Sequence, residues 1–114
     1  MNSNIKIVKL NSEISSILIN EPKTYNSLSF KNLNDLFKAL KKLDSDKKVK
    51  VIIIEGAGKG FSAGHNLKEV RGLKKRGKYQ KLFNLCSKVM LQIVEGRKPV
   101  IAKVHGAAFA AGCQ

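Results

Sequence analysis

The middle of the chain reads Val51-Ile-Ile-Ile-Glu-Gly-Ala-Gly-Lys-Gly-Phe-Ser-Ala-Gly-His65. Its first four residues form a continuous β-branched run, which is typical of a strand buried on both faces. Four glycines follow within residues 56–64, and glycine lets the backbone take positive φ and approach a ligand closely. The stretch therefore predicts a buried strand that ends in a glycine-rich loop, as in an α/β domain.

The residues before this stretch predict a β-hairpin and a helix. Apolar runs at 5–8 and 14–19 flank the turn-like residues 11–13, which is the pattern of two strands joined by a turn. Pro22 then interrupts regular structure, because proline removes a backbone donor. Ser29 is a candidate N-cap for an amphipathic helix whose apolar face is formed by Phe30, Leu33, Phe37, Leu40 and Leu43.

The residues after the glycine-rich loop predict a second helix. Residues 71–78 are basic and contain glycines, so they are interpreted as loop. From Tyr79 onward apolar residues recur at helical spacing, and Gly96 and Pro99 end the pattern. The apolar face predicted for this helix is formed by Leu82, Leu85, Cys86, Val89 and Ile93.

The last part of the chain predicts a strand and the start of a further helix. Residues 100–104 have the apolar, β-branched character of a strand. The small residues from Gly106 onward predict a helix that continues to Gln114 without meeting a cap. We therefore interpret residues 1–114 as the N-terminal part of a single domain, cut within the helix that follows the fourth predicted strand.

The composition bears on the class of partner. Lysine and arginine number 22 against 8 acidic residues, so the formal net charge is +14, and such a charge attracts polyanions. The lysines are scattered along the chain and aromatic residues make up only 6%, whereas nucleic-acid-binding modules tend to combine a basic stripe with stacking aromatics. A basic nucleic-acid-binding module is kept as an alternative, beside an ordinary lysine-rich surface.

Cysteine content and hydropathy bear on the compartment. Cys86 and Cys113 are the only cysteines and lack C-x-x-C spacing, so neither a metal site nor a disulfide framework is predicted. The start of the chain has no apolar signal core, and no stretch reaches the length of a membrane span. We predict a cytoplasmic protein without a membrane partner and leave an organellar location open.

The glycine-rich loop fails two common phosphate-binding motifs. A Walker A loop would need Ser or Thr after Lys59, and a dinucleotide fingerprint would need glycine at position 61, where the chain has Gly60 and Phe61. Two strand-glycine-helix junctions remain, at 61–67 and 105–114, each able to point backbone N–H groups at a negative atom. Two such groups that converge form an oxyanion hole. Ordinary tight turns of an α/β core are the alternative.

Three segments resemble the signatures of one family. They are Glu21-Pro-Lys-Thr-Tyr-Asn-Ser-Leu28, Lys59-Gly-Phe-Ser-Ala-Gly-His-Asn-Leu-Lys68 and Lys98-Pro-Val-Ile-Ala-Lys-Val-His-Gly-Ala-Ala-Phe-Ala-Ala-Gly-Cys-Gln114. Their order and spacing are similar to those of the crotonase (enoyl-CoA hydratase/isomerase) family, and in particular to its enoyl-CoA hydratase domain-containing subgroup. The resemblance implies a crotonase-like (ClpP/crotonase) spiral of ββα units, an acyl-CoA substrate, a place in fatty acid metabolism, and a homotrimer or hexamer.

The resemblance also implies roles for individual positions. The backbone N–H groups of His65 and Ala111 would be the two oxyanion donors. They suit a thioester enolate, because its charge develops on one oxygen that fixed amides can stabilise. Coenzyme A is part of the substrate, so no separate cofactor is implied. The positions implied for contact with CoA are Lys23, Tyr25, Lys59, Ala63 and Lys68.

Two positions depart from the family pattern. Asn66 stands where the family often has aspartate. Gln114 occupies the place of the first catalytic glutamate of the hydratases, and glutamine can orient a water or a thioester but cannot act as a general acid or base. His65 and His105 could replace that base, although a histidine in a turn is more often structural.

The sequence thus predicts one function and two alternatives. The leading hypothesis is an acyl-CoA-processing enzyme of the lyase or isomerase class that acts through an enolate-like intermediate. If hydration is the reaction, Gln114 favours the first alternative, a catalytically degenerate acyl-CoA-binding homologue. The second alternative is the basic nucleic-acid-binding module.

Overall fold

A four-stranded sheet and two α-helices form the main regular structure of the residues that the computed structural model describes, which are 3–64, 76–106, 108 and 110–113. The strands lie side by side in chain order. They are β1 (Ile5–Lys9), β2 (Ile14–Ile19), β3 (Val51–Gly56) and β4 (Val100–Lys103). The helices are α1 (Phe30–Ser45) and α2 (Arg76–Glu95), and short 3-10 helices lie at Pro22–Thr24 and Ala110–Gly112.

The predicted hairpin is confirmed. β1 and β2 pair antiparallel with Ile5 opposite Ile19. The turn between them is closed by the Asn11 side chain, whose Oδ1 accepts hydrogen bonds from the backbone N–H groups of Glu13 (2.8 Å) and Ile14 (2.9 Å). β2 then pairs parallel with β3, and β3 pairs parallel with β4. A parallel pair needs a crossover connection, and α1 and α2 supply the two crossovers.

The first predicted helix is confirmed together with its cap. Ser29 Oγ accepts a hydrogen bond from the backbone N–H of Asn32 at 3.1 Å, which satisfies one of the free donors of the first turn. The buried stripe includes Leu36 and Ala39, whereas the predicted face members Phe30 and Phe37 are only partly buried. The apolar face is therefore rotated slightly from the predicted one.

Both helices cover the same face of the sheet. α1 and α2 contact each other, and both contribute to one core cluster with Ile52 and Ile54 of β3, which are 1% and 6% exposed. Val51 and Ile53 point the other way and are half-buried. The expectation that β3 is buried on both faces is wrong for the described residues, because no described helix covers the second face.

The second helix begins earlier than predicted. α2 starts at Arg76 and not at Tyr79, so the interpretation of residues 76–78 as loop is wrong, and residues 71–75 lie outside the described ranges. Gly77 misled the prediction, but a glycine in a first helical turn costs only ~1 kcal/mol relative to alanine. The helix ends before Gly96 as predicted. Among the described residues, neither helix combines the length and the apolar character that a membrane crossing requires.

The segment after β4 differs from its prediction. β4 ends at Lys103, and Gly106 has a φ of +61°, which a regular right-handed helix does not contain. Ala108 pairs as an isolated parallel bridge with Ser62. The expectation of a helix from Gly106 is therefore wrong at its start, and the described regular structure there is the 3-10 helix Ala110–Gly112. Gln114 lies outside the described residues.

Candidate functional site

Two loops meet at the carboxyl ends of β3 and β4. We name residues 57–64 the β3 loop and residues 104–113 the β4 loop. Since the two strands are adjacent and parallel, both loops leave the same edge of the sheet, where ligands of open α/β sheets commonly bind. Nε2 of His105 lies 2.7 Å from the carbonyl oxygen of Gly58, and Ser62 forms its bridge with Ala108. The two predicted junctions are thus in direct contact.

The approach of the two loops depends on two glycines. A Cβ atom placed on Gly106 would collide with the carbonyl oxygen of Lys59. A Cβ atom on Gly112 would collide with the carbonyl oxygen of Ser62. Backbone lies directly against backbone at both points, so these glycines are required by close packing and, for Gly106, also by its positive φ.

A third segment, which we name the proline turn (residues 21–28), packs beneath the β3 loop. Its two residues with positive φ, Tyr25 at 53° and Asn26 at 54°, turn the chain sharply. The backbone N–H of Ala63 donates to the carbonyl oxygen of Tyr25 at 2.9 Å. The backbone N–H of Leu28 donates to the carbonyl oxygen of Gly64 at 2.7 Å. The proline turn and the β3 loop are therefore held together by two main-chain hydrogen bonds, one donated by each segment.

The side chain of Asn26 holds the same two segments together and was missed as a functional candidate in the sequence. Asn26 is fully buried. Its Nδ2 donates to the carbonyl oxygens of Ala57 (2.7 Å), Gly60 (3.0 Å) and Phe61 (3.2 Å), and its Oδ1 accepts from the backbone N–H of Glu21 (2.8 Å). Asparagine tolerates positive φ better than most residues. An asparagine shortly after Pro22 was therefore the available sequence signal for a sharp turn at this position.

The Glu21 carboxylate anchors the proline turn on its other side. The side chains that donate to it are Asn4 (2.8 Å), Thr24 (2.5 Å), Ser27 (3.1 Å) and Asn32 (3.3 Å). Hydrogen bonds to an ionised acceptor are stronger than neutral ones. The turn is consequently fixed both to the β3 loop and to the first turn of α1.

A cationic cleft opens between the proline turn and the β3 loop. It has a volume of about 480 Å³, and the described residues that line it are Pro22, Lys23, Tyr25, Gly58 and Lys59. Both lysines and Tyr25 are exposed, and the described lining contains no carboxylate. The structure thus brings together three of the residues predicted to contact CoA. Ala63 is half-buried behind Tyr25, and Lys68 lies outside the described residues.

An apolar cavity borders both the β3 loop and the β4 loop. It has a volume of about 230 Å³ and lies between the sheet, α2 and the two loops. The β4 loop contributes Ala111, Gly112 and Cys113, and the β3 loop contributes Phe61 and Ser62. Cleft and cavity therefore border neighbouring parts of the β3 loop, with Lys59 on the cleft and Phe61 on the cavity, separated only by Gly60.

The predicted oxyanion donors are only partly within the described structure. Ala111 is 8% exposed and lines the apolar cavity, whereas His65 and Gln114 lie outside the described residues. The ring of His105 contacts the Gly58 carbonyl oxygen, and this contact favours a structural role over a catalytic one. Within the described ranges, no three histidine, cysteine or acidic side chains converge as metal ligands would.

The sequence matches one family. The sequence model of the enoyl-CoA hydratase/isomerase family matches residues 9–114. Human mitochondrial enoyl-CoA hydratase domain-containing protein 3 is 42% identical over 101 residues, which are 89% of this chain and 33% of that protein. The mitochondrial enoyl-CoA hydratase of Pongo abelii is 36% identical over 104 residues, 91% of this chain and 35% of that protein. The chain spans about a third of the length of these curated relatives.

Solved structures agree with the sequence match. An enoyl-CoA hydratase from Mycobacterium smegmatis superposes with a TM-score of 0.93 at 38% identity, over 98% of this chain and 44% of that one. Human enoyl-CoA hydratase domain-containing protein 3 superposes with a TM-score of 0.90 at 38% identity, over 96% of this chain and 43% of that one. These likenesses confirm the predicted crotonase-like α/β fold and do not favour a nucleic-acid-binding module. The names of several relatives include a mitochondrial location, so the cytoplasmic location stays a prediction. The chain belongs to the enoyl-CoA hydratase/isomerase, or crotonase, family.

Proposed function

We propose that this protein binds an acyl-CoA thioester and polarises its carbonyl group for chemistry of the hydratase or isomerase type. The observation that carries the proposal is the arrangement of cleft and cavity. The cationic cleft at Lys23 and Lys59 and the apolar cavity at Ala111 both border the β3 loop, close to its contacts with the β4 loop. One elongated ligand with a phosphorylated end and an apolar end suits that arrangement.

The cationic cleft suits the nucleotide end of CoA. Lys23 and Lys59 are flexible cations that can approach phosphate oxygens, and such contacts gain strength from the charge on both partners. Tyr25 is 56% exposed in the same cleft and offers a ring on which an adenine base can stack. The main-chain bond from Ala63 to Tyr25 would keep this end of the ligand in register with the β3 loop.

The apolar cavity suits the acyl chain. Its volume of about 230 Å³ is below the ~300–1,000 Å³ of pockets that enclose whole drug-sized ligands. It can therefore take one part of the substrate and not the CoA moiety. Most of the residues that line it are apolar, among them Leu28, Ile54, Val89 and Met90.

The thioester carbonyl would then lie at the loop contact. In this proposal the N–H groups of His65 and Ala111 donate to its oxygen and stabilise the enolate that forms when charge moves onto that oxygen. The supporting observation is that the β3 loop, which ends directly before His65, touches the β4 loop at Ser62 and Ala108 and again at Ser62 and Gly112. Donors that are fixed before the reaction need not reorganise during it.

Gln114 bears on which reaction follows. A glutamine at this place can orient water or the thioester, but it supplies no proton. We therefore expect weak hydration of crotonyl-CoA by the full-length gene product, and a gain on changing Gln114→Glu if a second acid is present, because such groups are worth ~10²- to 10⁴-fold. A wild-type rate like that of ordinary hydratases would contradict this reading. The same residue favours the second candidate, an acyl-CoA-binding protein without turnover. A homotrimer or hexamer stays a prediction.

Calorimetric titration of the full-length gene product with acetyl-CoA tests the proposal. We expect binding that weakens as salt rises, because salt screens the contacts between lysine and phosphate. The double variant Lys23→Ala/Lys59→Ala should lose at least ~10-fold in affinity, since each charged hydrogen bond is worth ~1.5–3 kcal/mol. The matched control is Lys47→Ala/Lys48→Ala, which removes the same charge from the exposed connection before β3. Absence of binding at low salt, or an equal loss in the control, would contradict the proposal.

A further inference from the structure

We propose that Ser62 and Asn26 are positioning residues for the thioester carbonyl. This inference rests on the proposed function, since it concerns how the β3 loop is held where the carbonyl would bind. Asn26 lines neither the cleft nor the cavity, whereas Ser62 lines the apolar cavity with its hydroxyl engaged by the Asn26 carbonyl oxygen and the Gly64 N–H. Their effect would pass through the peptide groups of Ala63 and Gly64.

The Ser62 hydroxyl fixes the residue that precedes His65. Ser62 is 1% exposed, and its Oγ donates to the carbonyl oxygen of Asn26 at 2.9 Å and accepts from the backbone N–H of Gly64 at 3.2 Å. Gly64 has a φ of +85°, and its carbonyl oxygen accepts from Leu28. Both polar groups of Gly64 are thus held, and its carbonyl carbon is bonded to the nitrogen of His65. The Ser62 hydroxyl therefore holds the last described residue before the first proposed donor.

The Asn26 side chain fixes the earlier part of the same loop. It donates to the three carbonyl oxygens of Ala57, Gly60 and Phe61. The bonds to Gly60 and Phe61 are buried, where a carbonyl group left unpaired is costly. Asn26 also presents the carbonyl oxygen that receives the Ser62 hydroxyl. The two side chains therefore act as one connected network.

Ser62 also sets the separation between the two loops. Its backbone pairs with Ala108, and its carbonyl group lies directly against Gly112. Ala111 precedes Gly112, so the same residue contacts the loop of each proposed donor. The backbone of Ser62 thus contacts the β4 loop, while its side chain holds Gly64 and the Asn26 carbonyl group.

The test measures polarisation of the carbonyl apart from affinity for CoA. Full-length wild type and variants are saturated with acetyl-CoA labelled with ¹³C at the carbonyl carbon, and the chemical shift of that carbon is recorded by NMR. Affinities for free CoA and for acetyl-CoA are measured beside it. Ser62→Ala should reduce the downfield shift of the bound carbonyl and lower the preference for acetyl-CoA over CoA by roughly 5- to 10-fold, the size of one lost hydrogen bond. Its affinity for free CoA should stay within about twofold, because the lysine contacts are retained.

Further variants separate positioning from general stability. Asn26→Asp keeps the size and the acceptor of the side chain but removes the donors to the three carbonyl oxygens, and it should act in the same direction as Ser62→Ala. Ser62→Cys, with a weak donor in nearly the same space, should give an intermediate shift. Leu40→Val, in the core of α1 and outside the site, should lose stability without moving the carbonyl shift. Should Asn26→Asp not fold, the two Ser62 variants decide the question.

The outcomes distinguish the two proposals. A wild type that binds neither CoA nor acetyl-CoA contradicts the proposed function, and this inference with it. A wild type that binds both and shifts the carbonyl resonance, with Ser62→Ala and Ser62→Cys indistinguishable from it, contradicts the positioning role alone. An equal change in Leu40→Val also contradicts it, because the effect would then follow from stability.

Discussion

Asn11 and Asn26 stand at two turns of the same sheet and do different things. Each follows a strand, and each uses its side-chain amide to satisfy backbone groups. Asn11 is exposed and accepts only from residues two and three positions ahead. Asn26 is buried and reaches 31 to 35 positions along the chain. The first asparagine makes a local turn, whereas the second joins the two segments that build the candidate site.

The two asparagines belong to two regions of the sheet with different backbone structure. At the hairpin end, local hydrogen bonds and alternating side chains are enough to form the structure. At the loop end, positive φ values, glycines packed against carbonyl groups and a buried amide all converge on residues 56–64. Unusual backbone of this kind tends to cluster at functional sites, where the surrounding structure maintains it.

Replacing the two asparagines should separate them most clearly. Asn26→Ala removes the donor to the buried carbonyl oxygens of Gly60 and Phe61, at ~1–3 kcal/mol each, so we expect a loss of about 3–4 kcal/mol in the free energy of unfolding. Asn11→Ala, at an exposed turn, should cost about 1 kcal/mol or less. Urea denaturation of the full-length gene product followed by circular dichroism measures both. Equal losses would show that the two turns do not differ in the way described.

Two glycines provide the next test. Gly106→Ala must take a φ of +61° and push against the Lys59 carbonyl oxygen, so we expect a loss of about 2–3 kcal/mol. Gly77→Ala lies in the first turn of α2 with open space around its Cβ position, and it should gain about 0.5–1 kcal/mol. Melting temperatures of the two variants check the signs. A stable Gly106→Ala would mean that the loops are not held as closely as described.

The two cysteines should differ by a smaller factor. Burial raises the pKa of the Cys86 thiol above its usual value, which lowers its thiolate fraction at neutral pH, while Cys113 on the β4 loop is exposed. We expect Cys113 to react with iodoacetamide several-fold faster, because the buried Cys86 thiol is both less ionised and less accessible. The rate at Cys86 should go on rising with pH well into the alkaline range. Mass spectrometry of the labelled protein reads both rates, with Cys113→Ser as control. Equal rates would contradict the burial of Cys86.

Much of the sheet and of the first helix could be predicted from sequence, because their signals are local. Alternation gave the hairpin, Ser29 marked the start of α1, and Gly96 marked the end of α2. The errors arose where tertiary structure decides. The small residues after Gly106 predicted a helix, yet the positions of Gly106 and Ala108 are set by contacts with the β3 loop. The exposure of the second face of β3 depends on which elements of the fold cover that face, and no local pattern shows this. Tertiary contacts can override local propensity in this way.

The residues of the candidate site also differ in whether the sequence could predict them. Lys23, Tyr25 and Lys59 were implied by a resemblance to the family, and the structure brings them to one cleft. Asn26 and Ser62 were not singled out, because their partners lie 31 to 36 positions away. No pattern along the chain reveals such a pairing. For these residues, function follows from the fold and not from spacing.

The central claim is that one acyl-CoA spans the cationic cleft and the apolar cavity across the loop contact. A crystal structure of the full-length gene product with a non-hydrolysable acyl-CoA analogue tests it most directly. We predict phosphate groups beside Lys23 and Lys59, the carbonyl oxygen between the N–H groups of His65 and Ala111, and the acyl chain in the cavity lined by Phe61 and Val89. A ligand bound elsewhere, or one that occupies the cleft with its carbonyl turned away from Ala111, would contradict the account.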